Sequence, residues 1–137
     1  MEINVEGVIL PNEPLSNIQL IETAKQLQIK NFRGVFVRDQ LPEKSLTNEC
    51  GILNTGDSST GDFHWLCWYK NGSTKYCFDS YGLPPPTELI KYLKRPVCYN
   101  SERLQYGDTV FCGHLCLYVL KKLSDGYGFQ EILNNLW

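Results

Sequence analysis

The sequence predicts one domain that mixes helices with strands, and three observations carry that prediction. The chain has 137 residues, 42% hydrophobic and 12% aromatic, which is enough apolar side chain for a small core and too much for disorder. Two aromatic-rich runs, FHWLCWY (63–69) and TKYCFDS (74–80), flank Lys70-Asn71-Gly72-Ser73, and Asn-Gly is the strongest short signal for a hairpin. The run CGHLCLYVLKKL (112–123) is mostly apolar and long enough for a buried helix.

The remaining elements follow in chain order. Residues 1–15 read as a strand-like arm that ends in a turn at Pro11 and Pro14. Ser16-Asn17-Ile18-Gln19 has the form of a capping box, with Ser16 as the cap and Gln19 reaching back. Ile18, Ile21, Ala24 and Leu27 then recur at helical spacing, so 17–28 is an amphipathic helix. Val35, Phe36 and Val37 form a short buried strand closed by Leu41-Pro42, and 49–54 forms another. NTGDSSTGD (54–62) is a loop by composition. It holds G-x-x-x-x-G from Gly56 to Gly61, but Asp62 and Phe63 stand where a phosphate cradle needs Lys and Ser or Thr, which excludes a nucleotide site there. Leu83-Pro84-Pro85-Pro86 leads rigidly into a short helix over 87–94, and 97–104 is a strand and a connection. Asp108 or Thr109 is the expected cap of the helix 112–123, and Lys121 and Lys122 suit its C-terminal dipole. Gly126 and Gly128 break it, and 129–136 is a last short helix.

A net charge of −2 leaves no electrostatic footprint for nucleic-acid binding. No run is long enough to span a bilayer, and MEINVEGVIL lacks the features of a secretory signal, so an intracellular protein with mostly reduced thiols is expected. The six cysteines contain no CxxC pair and the chain has two histidines, so no metal site is expected.

The hairpin holds the first chemically suggestive pair. If Asn71-Gly72 is a two-residue turn, Lys70 pairs with Ser73, and the same register sets His64 directly opposite Asp79. An imidazole facing a carboxylate is the base-and-orienter half of a nucleophilic triad, and equally an ordinary polar cross-strand pair. In that register Cys67 faces Tyr76 and Cys77 faces Leu66, which places the two thiols on opposite faces. Cys112 opens the apolar helix, where the dipole favours a thiolate, and Gly113 leaves room for a carbonyl to approach the sulfur. Without a partner, a cysteine at a helix start is usually packing. Cys116, a turn deeper, reads as core. His114 is rotated about 200° from Cys112 around the helix, which leaves His64 as the base. Gln105, on the connection into the helix, can donate to a developing oxyanion together with the Cys112 backbone N–H. Trp65 reads as core, with a secondary place beside an imidazolium.

Taken in order, HW (64–65), YCFDSYG (76–82), Gln105 and CG (112–113) resemble the adenain family of adenovirus-type maturation proteases, and more loosely the ubiquitin-like-protein proteases of the same clan. The resemblance extends over residues 15–125. It implies an α+β fold with a central mixed or antiparallel sheet flanked by helices and the nucleophile at the N-terminus of a buried helix. It implies Cys112 as nucleophile, His64 as general base, Asp79 as orienting acid and Gln105 as oxyanion donor, with Trp65 and Gly113 beside the substrate. The implied activity is endopeptidase cleavage of viral or virus-like-element precursors, capsid or core proteins, during particle maturation, after small residues such as glycine. The expected setting is a monomer in the host cell or virion, not secreted, with no cofactor, no metal and no membrane. Activation by DNA or by a disulfide-linked peptide is not carried over. The net charge of −2 differs from the basic adenoviral enzymes, and the spacing from Cys98 to Gln105 does not match the peptide's attachment point. Asp79 stands where adenoviral enzymes have the longer Glu. Two alternatives stay open, an isopeptidase acting on ubiquitin-like modifiers and an inactive binding module.

Overall fold

A computed structural model describes residues 2–55, 64–104 and 111–136. The chain opens with a hairpin, β1 (Glu2–Val5) and β2 (Val8–Pro11), turned by Glu6 and Gly7, both at positive φ. Helix α1 (Asn17–Gln26) leads to β3 (Phe32–Val37) and β4 (Asn48–Asn54). After β5 (Trp65–Asn71) and β6 (Thr74–Phe78) come α2 (Thr87–Leu93) and the two-residue β7 (Cys98–Tyr99). Helices α3 (Cys112–Ser124) and α4 (Phe129–Asn134) complete the described residues. The architecture is α+β, as the sequence implies. One five-stranded sheet has the order β3-β4-β5-β6-β7, with antiparallel pairs at its centre and a parallel pair at each end.

Side-chain alternation along β5 divides the core in two. Trp65 and Cys67 face one apolar cluster with α1 and α3, while Leu66 and Trp68 face another with α2. Because both sheet faces are covered, β5 reads as a nearly continuous apolar run rather than an alternating one. Helix α3 is buried along its whole first half, from Cys112 to Leu117. It therefore carries apolar residues all round instead of a single stripe.

Three local expectations change. The capping box at Ser16 and Gln19 is present, with bonds of 3.1 and 2.8 Å. The buried stripe of α1, however, is Leu20, Thr23, Ala24 and Leu27, and Ile18 and Ile21 are exposed. The set Leu20, Ala24, Leu27 is the one that packs, because small Ala24 beside Leu20 lets α1 come close to α3. Helix α3 takes Phe111 as its N-cap, with no side-chain cap bond. Asp108 and Thr109 lie outside the described residues.

The hairpin register is also different. Asn71 pairs with Thr74, so the turn is Gly72-Ser73 and Asn71 belongs to the strand. Of the two turn residues only Gly72 has positive φ, 63°, the pattern of a type II′ turn led by glycine rather than the type I′ turn that Asn-Gly favours. Cys67 therefore pairs with Phe78, and Cys77 with Trp68. The slip is two residues, and a slip of two keeps every side chain on its face. Cys67 and Cys77 accordingly sit in the two separate core clusters. None of the six cysteines is in a disulfide. Among the described residues, no helix is long and apolar enough to cross a membrane.

Strands β4 and β5 leave no room for a side chain at one position. Gly51 pairs with Trp68, which is fully buried, and a Cβ at Gly51 would collide with the Trp68 indole. Gly51→Ala is expected to cost about 1–3 kcal/mol as the indole is pushed off its site. Denaturant unfolding and the Tm measure this, and an unchanged Tm would contradict the packing.

Candidate active site

The site forms where the β5–β6 hairpin ends and α3 begins. His64 is the residue before β5 and Asp79 the residue after β6, so both stand just beyond the last ladder pair. Continued past its end, the observed register would set His64 across from Tyr81, with Asp79 one diagonal step away. His64 Nε2 lies 2.7 Å from Asp79 Oδ1, and the Asp79 side chain is buried. The contact expected from the sequence is thus present, reached along the diagonal rather than by direct opposition. Diagonal neighbours on one sheet face remain within reach of a long side chain.

Local folding fixes the carboxylate. Asp79 Oδ1 also accepts the Tyr81 backbone N–H at 2.8 Å. The backbone turns immediately afterwards, with Gly82 N–H donating to Asp79 O at 2.8 Å. Gly82 has φ +72°, and a Cβ there would lie 2.8 Å from the carbonyl carbon of Glu102, so the position accepts only glycine without displacement. Tyr81 folds back over the site, and its ring stacks on His64 at 4.1 Å with the planes 6° apart. The Arg103 guanidinium lies 4.7 Å from the Tyr81 centroid. On the backbone side, His64 O accepts the Thr55 N–H at 3.0 Å.

Cys112 meets the imidazole from α3. Its sulfur accepts the Trp65 backbone N–H at 3.5 Å. The thiol comes close enough to His64 to be a hydrogen-bonding and Coulombic partner of the ring, although the buried Nδ1 closes no well-aligned hydrogen bond. Such loose geometry is common in unliganded sites that tighten on substrate. Burial pulls the His64 pKa down, but the hydrogen bond to Asp79, the charge on Asp79 and the nearby Cys112 sulfur outweigh it and hold the ring at about 9. His64 is then an imidazolium at neutral pH, donating from Nε2 to Asp79.

The other sulfurs differ. Burial pushes the Cys50, Cys77 and Cys116 thiols up, which keeps them protonated and unreactive. Cys116, one turn below Cys112, is fully buried, with Cys67 as a neighbour. Cys98 is exposed.

Trp65 is buried, on the opposite strand face from His64, with its indole N–H donating to Leu15 O at 3.0 Å. Gly113 is explained by packing. A Cβ there would sit 3.2 Å from both Leu20 Cδ2 and Trp65 Cδ1, so the missing side chain faces the core and lets α3 seat against α1 and β5. His114 is buried, with Nε2 2.8 Å from Pro11 O, and serves the hairpin contact. Gln105 lies outside the described residues. Among the described residues, no group of three or more His, Cys, Asp and Glu could hold a metal ion. Sequence reasoning missed Tyr81 and Asn100. Tyr81 lies within the quoted motif YCFDSYG without a role, and a lone Asn100 carries no local signal.

No protein-family model matches the sequence. The chain is 28% identical over 109 residues to the protease of Bovine adenovirus 2, covering 66% of this chain and 50% of that protein. Its fold matches the crystal structure of the ASFV pS273R protease with a TM-score of 0.65 at 17% identity, covering 91% of this chain and 62% of that one. The selenomethionine form of that protease gives 0.63 and 15%, with 91% and 63% covered. The resemblance read from the motifs is therefore matched by an adenovirus protease in sequence and by a viral protease in fold. The chain spans about half the length of the adenovirus relative and less than two thirds of the solved chains.

His64 is expected to titrate near 9 by NMR, and Asp79→Asn to bring it to or below the ordinary 6.5. Because the folded value lies above the unfolded one, the His64 contribution to stability is complete below pH 6.5 and is lost as pH rises through 9. The Tm advantage of the wild type over Asp79→Asn should shrink across that window. A wild-type titration at or below 6.5 would contradict the geometry.

Proposed function

We propose that this chain is a cysteine endopeptidase in which Cys112 is the nucleophile, His64 the acid and base, and Asp79 its orienting partner. The observation that carries the reading is the meeting of the Cys112 thiol, the His64 ring and the Asp79 carboxylate from three separate segments. The Cys112 thiolate adds to the peptide carbonyl and forms a tetrahedral oxyanion. The His64 imidazolium gives its proton to the departing amine as the C–N bond breaks, leaving a thioester. His64 then takes a proton from water, whose oxygen adds to the thioester carbonyl. Collapse expels the Cys112 thiolate and releases the carboxylic acid, which restores the starting thiolate and imidazolium. Asp79 holds the ring in place and stabilises the imidazolium throughout. The Cys112 backbone N–H, at the start of α3, and Gln105 are assigned to the oxyanion.

The substrate class assigned is precursor proteins of a virus or virus-like element, capsid or core components, cut after small residues such as glycine. Likeness to an adenovirus protease supports that assignment. On this reading the protein works in the infected cell or the particle, as a monomer and without a cofactor. The competing substrate, an isopeptide bond to a ubiquitin-like modifier, is separable by experiment.

Cys112→Ala is expected to abolish cleavage of internally quenched peptides with glycine before the scissile bond and to leave the circular dichroism unchanged. Survival of cleavage in that variant would remove the mechanism. The alkaline limb of the wild-type rate should fall near pH 9, where His64 loses its proton. A ubiquitin-like C-terminal vinyl probe should leave Cys112 unlabelled, and rapid labelling would move the substrate to modifiers.

A further inference from the structure

Beyond β6 the sheet ladder stops, and Asp79 needs other partners for its backbone N–H and C=O. One side chain supplies both. Asn100 Oδ1 accepts the Asp79 N–H at 3.0 Å, and Asn100 Nδ2 donates to Asp79 O at 2.6 Å. The amide thus replaces a strand neighbour for a single residue, just past the β6–β7 pairing of Cys77 with Tyr99. Its second amide proton reaches Glu102 O at 3.2 Å. Asn100 is 5% exposed, so its two bonds to Asp79 are made away from water, where each lost partner leaves an expensive orphan.

The surrounding contacts strengthen the clamp. Leu104 N–H donates to Ser80 O at 2.7 Å, and Gly82 passes against the Glu102 backbone too closely for any side chain. Residues 100–104 are therefore laced onto residues 79–82, and the buried Asn100 side chain is bonded to both. Oδ1 of Asp79 must meet His64 Nε2 at 2.7 Å and Tyr81 N–H at 2.8 Å simultaneously. That requires the Asp79 backbone to be fixed, and the Asn100 amide bonds both its N–H and its C=O.

We infer that Asn100 is a positioning residue that acts through Asp79, holding its carboxylate on the His64 ring. The inference rests on the peptidase reading for its kinetic consequence, but its geometric consequence stands apart. An amide is needed because the site requires one acceptor and two donors in a single plane. Asp at this position loses both donors, and Ala loses all three bonds.

The test compares wild type, Asn100→Ala, Asp79→Asn and the double variant on an internally quenched peptide with glycine before the scissile bond, alongside NMR titration of His64. Asn100→Ala is expected to lower kcat about 10- to 100-fold, keep KM within about threefold, and move the His64 titration from about 9 toward 6.5. On the Asp79→Asn background the same change should cost no more than about twofold further, since the pathway it serves is already gone. If circular dichroism shows that Asn100→Ala does not fold, Asn100→Asp, which keeps the shape, carries the test with the same expected loss of kcat. A folded Asn100 variant with unchanged kcat and His64 still near 9 would overturn the inference, and so would a loss that adds in full to that of Asp79→Asn. If the wild type cleaves no peptide yet the His64 titration falls in Asn100→Ala, the positioning role holds and the peptidase reading fails.

Discussion

The 2.7 Å contact between His64 and Asp79 is the constraint around which the rest of the site is arranged. His64 extends the β4–β5 register by one position, its C=O accepting the Thr55 N–H. Asp79, by contrast, lies past the β6 ladder and is held by the Tyr81 N–H and the Asn100 amide. The strands supply a rigid base, and their ends present the imidazole and the carboxylate. Reacting groups at the ends of rigid elements keep precise positions while remaining reachable by a large substrate.

The same contact separates one sulfur from the others. Cys50, Cys77 and Cys116 are buried among apolar groups, and their thiols are pushed up accordingly. Cys112 differs in having an imidazole and a backbone N–H directed at it. Its place at the first residue of a helix set against β5 brings the sulfur to the ring without a loop of its own. Gly113 permits that seating by leaving room for Leu20 and Trp65. A glycine that permits packing and the cysteine proposed as nucleophile therefore stand side by side for different reasons.

Much of this was legible in the sequence, for reasons that can be stated residue by residue. The hairpin was readable because its two aromatic runs flank a single turn signal, and the pairing of His64 with Asp79 survived a wrong turn type because the slip was two residues. A slip of one would have sent the two side chains to opposite faces. The capping box of α1 was readable because it is local, whereas the face of α1 that packs was not, since Ile18 and Leu20 offer competing stripes and α3 decides between them. Asn100 and Tyr81 were invisible because their roles arise only when residues 79–82 and 100–104 are brought together. Sheet order was likewise unreadable, as the parallel pairs at both ends depend on crossovers that leave no mark in any single segment.

The central claim is that the Cys112 sulfur and the His64 ring face one another with Asp79 on the ring's far nitrogen. The most direct measurement is cross-linking of the native protein with the short bifunctional alkylator 1,3-dibromoacetone, followed by peptide mass spectrometry. The expected product joins Cys112 to His64, disappears in His64→Ala, and forms in lower yield in Asp79→Asn. A bridge from Cys112 to any other side chain, or alkylation of Cys112 at one end only, would contradict the site as described.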